Sequence, residues 1–222
     1  MVMKKKSKLD KKTTSVVVIG GGGHAKSVIS VLKKIKSLTI IGYVDLQDKG
    51  NILGVKYLGT DSQLPKILKK RPSCGAVIGV GSIKISDKRE KIIAMLASLG
   101  FRLPPIISPT SIINEDVSIG DGTVIMDGAI INSGTTLGQG VIINTGSLID
   151  HDCYVGDFVH ICPGVVLSGG VRVGKNSFLG IASTVSEYKN IGEGCLVGAG
   201  AVVTEDCLHP GVYLGIPARR KE

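Results

Sequence analysis

Chemistry-bearing side chains are scarce in this chain of 222 residues, which has four histidines, five cysteines and no tryptophan. His151 is followed at once by Asp152, in Ile149-Asp-His-Asp-Cys-Tyr154. An imidazole beside a carboxylate suits a general base that takes a proton from an amine or hydroxyl near neutral pH, the carboxylate orienting the ring or stabilising its cation. His160 lies nine residues further on. Near the N-terminus, Gly20-Gly-Gly-Gly-His-Ala25 stands between an apolar run and a helical pattern. Glycines there let a backbone approach phosphates closely, and a helix N-terminus favours anions. Gly22 and Gly23 are therefore candidate phosphate contacts. The second glycine loop, Gly79-Val-Gly-Ser82, is a candidate to close the pocket, and Asp45 ends the next strand. The loop also approximates a dinucleotide fingerprint, although the domain is half the length that a full dinucleotide needs.

Two kinds of periodicity position these groups. From about Ser15 to Leu103, strands (Val16–Ile19, Thr39–Val44, Ala76–Val80) alternate with helical stretches (His24–Lys36, Asp61–Lys70, Asp87–Leu99), which argues for a parallel sheet covered by helices. After Pro104-Pro105 an Ile, Leu or Val recurs every six residues without a slip, from Ile107 through Ile149, Val155 and Ile161 to Val203, seventeen positions in all. Four residues after each stands mostly a small residue, with Lys189 the exception. A large apolar residue every six with a small one near each corner makes a triangular solenoid of three hexads per coil. The expected architecture is an α/β Rossmann-like domain followed by a left-handed parallel β-helix of hexapeptide repeats. The expected divisions are a disordered basic tail over 1–14, the α/β domain over 15–103 and the β-helix over 104–222. His151, two residues past the inward Ile149, faces outward, and so does His160. Flat outer faces on an isolated prism would stay exposed, so a trimer is expected.

The net charge of +9 is unevenly spread: the first dozen residues hold six lysines and one aspartate. That run reads as a solvated tail, and few aromatics weigh against single-stranded nucleic-acid binding. No nucleic-acid partner is expected. No apolar stretch reaches the ~20 residues of a membrane span, and no signal peptide is evident, so no stable membrane insertion is expected. The cysteines form no C-x-x-C pair and are odd in number, which favours reduced thiols and a cytoplasmic location.

Three segments carry a narrower resemblance: Ser15-Val-Val-Val-Ile-Gly-Gly-Gly-Gly-His-Ala-Lys-Ser27, Asn144-Thr-Gly-Ser-Leu-Ile-Asp-His-Asp-Cys153 and Gly215-Ile-Pro-Ala-Arg219. Together they resemble the hexapeptide-repeat sugar O-/N-acyltransferases related to sialic acid O-acetyltransferases. Within that group they look like the N-acetyltransferases of nucleotide-linked 4-amino-4,6-dideoxy sugars in the bacillosamine and perosamine pathways. The resemblance implies acetyl-CoA as cosubstrate, a UDP-, GDP- or dTDP-linked amino sugar as acceptor, a homotrimer and no metal. It makes His151 the base paired with Asp152, where some relatives carry glutamate, and places His160 at the acetyl-CoA thioester. The pantetheine arm would run near Gly169, Gly180 and Ala199, with Arg219 at a phosphate of the adenine end. Gly22, Gly23, His24, Gly79 and Gly81 would hold the nucleotide diphosphate, and Asp45 the base or ribose. The alternatives are a sugar O-acetyltransferase with the same base and cofactor, and a non-catalytic nucleotide-binding scaffold. A zinc carbonic anhydrase on such a prism would need three converging histidines, and only His151 and His160 lie in the repeats.

Overall fold

The structure, a computed structural model, describes residues 14–82 and 85–221. The basic tail expected over 1–14 lies outside the described residues, apart from its last position. Thr14 already belongs to strand β1 (Thr14–Ile19). The N-terminal domain continues with α1 (Gly23–Leu32), β2 (Leu38–Val44), a 3₁₀ turn (Asp61–Gln63), α2 (Leu64–Lys70), β3 (Gly75–Ile78) and α3 (Lys88–Ser98). The three strands are parallel in the order β2-β1-β3. Continuous apolar strands such as Val16-Val-Val-Ile19 are what a sheet buried on both faces requires. Val16, Val18 and Val77 pack under α1 with Val28, Ile29 and Leu32. Val17, Ile19, Ala76 and Ile78 face Leu64, Ile93 and Leu96 of α2 and α3.

The hexads fold as expected. Each of the seventeen Ile, Leu or Val positions ends a short strand, and strands eighteen residues apart pair in parallel, as in Ile143 with Ile125 and Ile161. The result is a left-handed prism of nearly six coils with three faces. The inward aliphatic stack is fully buried from Ile125 onward. Small corner residues are buried too, and several serve the backbone. Thr123, Thr135, Ser147 and Ser177 each donate a hydroxyl to a carbonyl fifteen residues on, at 2.7–3.0 Å. A corner carbonyl turned into an apolar interior would otherwise lose a hydrogen bond.

The three outer faces differ, and the difference places the site. On the first, Ile106, Val124 and Ile142 point out and are covered by the N-terminal domain. Lys34 pairs with Asp127 and Lys175 with Glu90 across the same junction. The second face presents Ile112, Ile130, Leu148, Val166, Thr184 and Val202, none of them buried within one chain. The third presents Ser118, Thr136, Tyr154, Arg172 and Asn190 and is polar. Among the described residues no helix is long and apolar enough to cross a membrane.

Candidate active site

His151 and Asp152 form the corner between the apolar second face and the polar third face. Asp152 adopts φ +58°, a left-handed conformation that Asp tolerates better than most residues. That turn brings its Oδ2 to 2.9 Å from His151 Nδ1. The aspartate arm is thus long enough to pair. Asp150 Oδ1 accepts the His151 backbone N–H at 2.8 Å and is held by Asn132 Nδ2 at 2.9 Å. Thr135 clamps the corner from inside, donating to Asp150 O at 2.9 Å while accepting from Cys153 N at 3.3 Å. The hydrogen bond that Asp152 accepts from the ring, then the charge of Asp150, raises the His151 pKa. With Nδ1 engaged, Nε2 is the ring nitrogen left open, and it faces Gly169 on the next coil. A Cβ on Gly169 would stand 2.6 Å from Nε2. Gly134 is equally constrained, since its Cβ would lie 2.5 Å from Asp152 Oδ1.

The second cluster lies at the carboxyl ends of the three parallel strands, where ligands bind in open α/β sheets. A cavity of about 490 Å³ is lined there by Gly20, Gly22, Gly23, His24, Asp45, Gly79, Gly81, Ser82, Lys88 and His160, among others. Gly22 is the N-cap of α1, without a side-chain cap and with no acidic residue in the first turn. The first amide groups of α1 are therefore available to an anion. A Cβ on Gly22 or Gly23 would meet nothing within 4 Å, so packing within the chain does not demand glycine there, and close approach by a ligand would. Gly79 and Gly81 are different, because Ala25 and His24 crowd them at 2.9 and 3.0 Å. Asp45 Oδ2 accepts the Gly21 N–H at 2.7 Å and Oδ1 that of Gln47 at 3.1 Å. Burial pushes the Asp45 carboxyl up, but the donors Gly21 and Gln47 and the charge of Lys49 outweigh it and leave its pKa lowered.

His160 points away from the prism interior as expected, yet it is only 6 % exposed because the N-terminal domain covers it. Its ring lies 6.4 Å from that of His24 and edge-on to Phe178 at 5.1 Å. Burial, then the nearby Arg89 charge, lowers the pKa of His24 to about 4 and that of His160 to about 3. Both rings are neutral at physiological pH. Arg89 is itself buried, donates to the Phe158 carbonyl and has Nη1 unpaired among the described residues.

The remaining expected residues are placed more loosely. The absence of a side chain on Gly180 has a reason within the chain, because its Cβ would stand 2.6 Å from Ala199 N on the next coil. Ala199 is exposed, and Arg219 pairs with Glu205 at 2.9 Å in the C-terminal hairpin. A larger cavity of about 540 Å³ lies at the opposite end of the sheet, beside Thr14, Leu38 and Phe101. It has neither a glycine loop nor a helix N-terminus. Sequence reading missed Lys88, Arg89, Thr135 and Asp150. Of these, Asp150 was signalled by its place in the Asp-His-Asp run.

Residues 15–96 match the family model of the PglD N-terminal domain. The acetyltransferase domain of PglB from Neisseria gonorrhoeae is 32 % identical, with 94 % of this chain and all of that one covered and a TM-score of 0.85. Perosamine N-acetyltransferase from Caulobacter crescentus, solved with CoA and GDP-perosamine, is 36 % identical over 94 % of this chain and 97 % of its own, with a TM-score of 0.88. WeeI from Acinetobacter baumannii shares the fold at 24 % identity, over 94 % of this chain and all of its own, with a TM-score of 0.82. With its glycine-loop domain docked on a hexad prism that carries a paired histidine, the chain belongs to the hexapeptide-repeat sugar N-acyltransferase family.

Proposed function

We propose that this protein transfers the acetyl group of acetyl-CoA to the 4-amino group of a nucleotide-linked 4-amino-4,6-dideoxy sugar. The observation that carries the reading is the His151–Asp152 pair, held at 2.9 Å on an outer corner with Nε2 free over a glycine. Full-length similarity to an acetyltransferase solved with acetyl-CoA and to one solved with a nucleotide-linked amino sugar supports it.

In this reading the sugar diphosphate sits on the first turn of α1, over Gly22 and Gly23, with Lys88 and neutral His24 beside it. Gly79 and Gly81 shape the opposite wall. Asp45 fixes the loop through Gly21 and leaves one edge of the pocket to the base or ribose. His151 Nε2 removes a proton as the amine nitrogen attacks the thioester carbonyl. The tetrahedral oxyanion is stabilised by a nearby donor, and the C–S bond then breaks to release CoA thiolate, which takes up a proton. His160 is assigned to the thioester end, where a neutral imidazole offers a hydrogen bond without a charge. Gly169, Gly180 and Ala199 border the pantetheine path, and Arg219 meets a phosphate at the adenine end.

The apolar second face argues for assembly. Ile112 and Val166 are 54 % and 36 % exposed in one chain, and an aliphatic strip of this kind, interrupted only by Thr184, marks a contact surface. A threefold arrangement burying that face would put the adjoining His151 corner into a groove between subunits.

Calorimetric titration tests the acceptor class. Tight binding of one GDP-, UDP- or dTDP-linked 4-amino sugar, abolished by competing nucleoside diphosphate, is the expected result. Acetylation of free sialic acid by a protein that binds no nucleotide sugar would replace this reading with O-acetylation.

A further inference from the structure

Two amides and a carboxylate stack along one edge of the prism and end beside the proposed base. Asn114, Asn132 and Asp150 each follow an inward aliphatic residue, Ile113, Ile131 and Ile149. Their backbone N–H groups donate to the carbonyls of Ile131, Ile149 and Leu167 at 2.9–3.0 Å, so they hold the same position on three successive coils. Their side chains are joined in one direction. Asn114 Nδ2 donates to Asn132 Oδ1 at 2.7 Å, and Asn132 Nδ2 donates to Asp150 Oδ1 at 2.9 Å. The direction is forced from the carboxylate end, because an ionised carboxylate only accepts. Asn132 must turn its NH2 toward Asp150, which leaves its oxygen for Asn114. On the next two coils the position passes to Ser168 and Ser186, whose N–H groups bond Val185 and Val203 in the same register. The long amides thus lead up to the coil of His151 and stop there.

Asp150 is held at the end of this ladder from three sides. Asn132 fixes its Oδ1, the His151 backbone N–H donates to the same oxygen at 2.8 Å, and Thr135 donates to its main-chain carbonyl at 2.9 Å. Asn132 first, then the His151 N–H, keep the Asp150 carboxyl below its usual range, so it stays charged beside the ring. Among the described residues, Asp150 and Asp152 are the charged groups that act on the His151 ring. The next coil presents Gly169 to the ring, and the preceding coil presents Gly134 to Asp152. Of the two carboxylates Asp152 is the freer, with its side chain 72 % exposed, whereas Asp150 is half-buried. Asn132 bonds Asn114 and Asp150 and not His151, so its influence on the ring passes through Asp150.

We infer that Asn132 is a positioning residue for the proposed base, acting through Asp150, which it locks against the His151 backbone. The inference rests on the acetyl transfer proposed above. The experiment measures kcat over pH for wild type, Asn132→Ala, Asp150→Ala and the double variant. In parallel, NMR titrates the His151 ring in the free protein, with its signal assigned against His151→Ala. Asn132→Ala should fold, since later coils carry short side chains at this position; Asn132→Val, which has no donor and suits a strand, is read the same way should alanine melt early. In either variant kcat should fall roughly ten- to a hundredfold, the cost of a reacting group held out of place. The His151 midpoint and the acid limb of the rate profile should both move to lower pH, because the Asp150 charge is no longer fixed beside the ring. A rung that only stiffened the coil would move neither. The double variant should be no slower than Asp150→Ala, as residues acting through one another are not additive. A folded Asn132→Ala protein with wild-type kcat, or with the His151 titration unmoved, would overturn the inference, and losses that multiply in the double variant would overturn action through Asp150. If wild type acetylates no amino sugar, the acyl-transfer reading itself fails. The NMR titration still decides on Asn132, and a His151 midpoint unchanged by its substitution would overturn the coupling.

Discussion

Replacing Gly169 with alanine adds one carbon next to the proposed base and very little else. The new Cβ would lie 2.6 Å from His151 Nε2 and 2.7 Å from Cε1. Carbon and nitrogen settle at about 3.5 Å or more, so the ring must retreat by roughly 1 Å. Gly169 lies outside the left-handed region that strains other residues, and His151 is a surface side chain free to swing. Gly169 is itself buried, but the atoms crowded belong to the end of a surface side chain, so folding stability should fall by about 1 kcal/mol or less. Catalysis is less tolerant, because a misplacement of about 1 Å at a reacting group costs on the order of 10²-fold. Gly169→Ala should melt close to the wild type and lose about two decades of kcat, measured by thiol release from acetyl-CoA at saturating acceptor. A folded Gly169→Ala protein with wild-type kcat would refute the argument that Nε2 works against this glycine.

Other perturbations test the remaining parts of the site. Asp152 holds the His151 pKa up, so Asp152→Asn should lower kcat and move the acid limb of the pH–rate profile to lower pH; an unmoved limb would show that another group titrates. Gly22→Asp should cap α1 and raise the melting temperature of the free protein slightly, yet weaken nucleotide-sugar binding roughly tenfold or more by opposing the phosphates at the helix terminus. Calorimetry showing wild-type affinity would remove the phosphates from that loop. The lowered pKa values of His24 and His160, about 4 and about 3, make stability fall once pH drops below the ordinary histidine value near 6.5. The unfolded chain then takes up protons that the folded one refuses. At pH 5 the loss is on the order of 2 kcal/mol for His160, and less for His24, which keeps some solvent contact. Denaturant titration giving equal stability at pH 7 and pH 5 would contradict those environments.

Much of the architecture was legible because a six-residue period leaves one way to bury seventeen aliphatic side chains. The same period told which way His151 and His160 point. It could not tell what covers them, and His160 is buried by the docked N-terminal domain, beside His24 and Arg89. Helix ends were read less well. The helix expected to run to Lys36 ends at Leu32, where Lys34 and Ile35 tighten to bond Val31 and Leu32 and the chain turns into β2. The segment from Asp61 starts as a 3₁₀ turn before Pro65 opens α2. Thr135 read as an ordinary corner residue, and only the coil stacking shows it gripping Asp150 and Cys153.

The central claim is acetyl transfer to a nucleotide-linked sugar amine with His151 as the base. It is tested most directly by following CoA thiol release with a panel of GDP-, UDP- and dTDP-linked 4-amino sugars, for wild type and His151→Ala side by side. The account predicts rapid release with one of these acceptors, an amide on the product, and a loss on the order of 10²–10⁴-fold in the variant, the range of a general base. Equal rates in the two proteins would contradict His151 as the base. Wild type that binds acetyl-CoA and releases no thiol with any of these sugars would contradict the reaction itself.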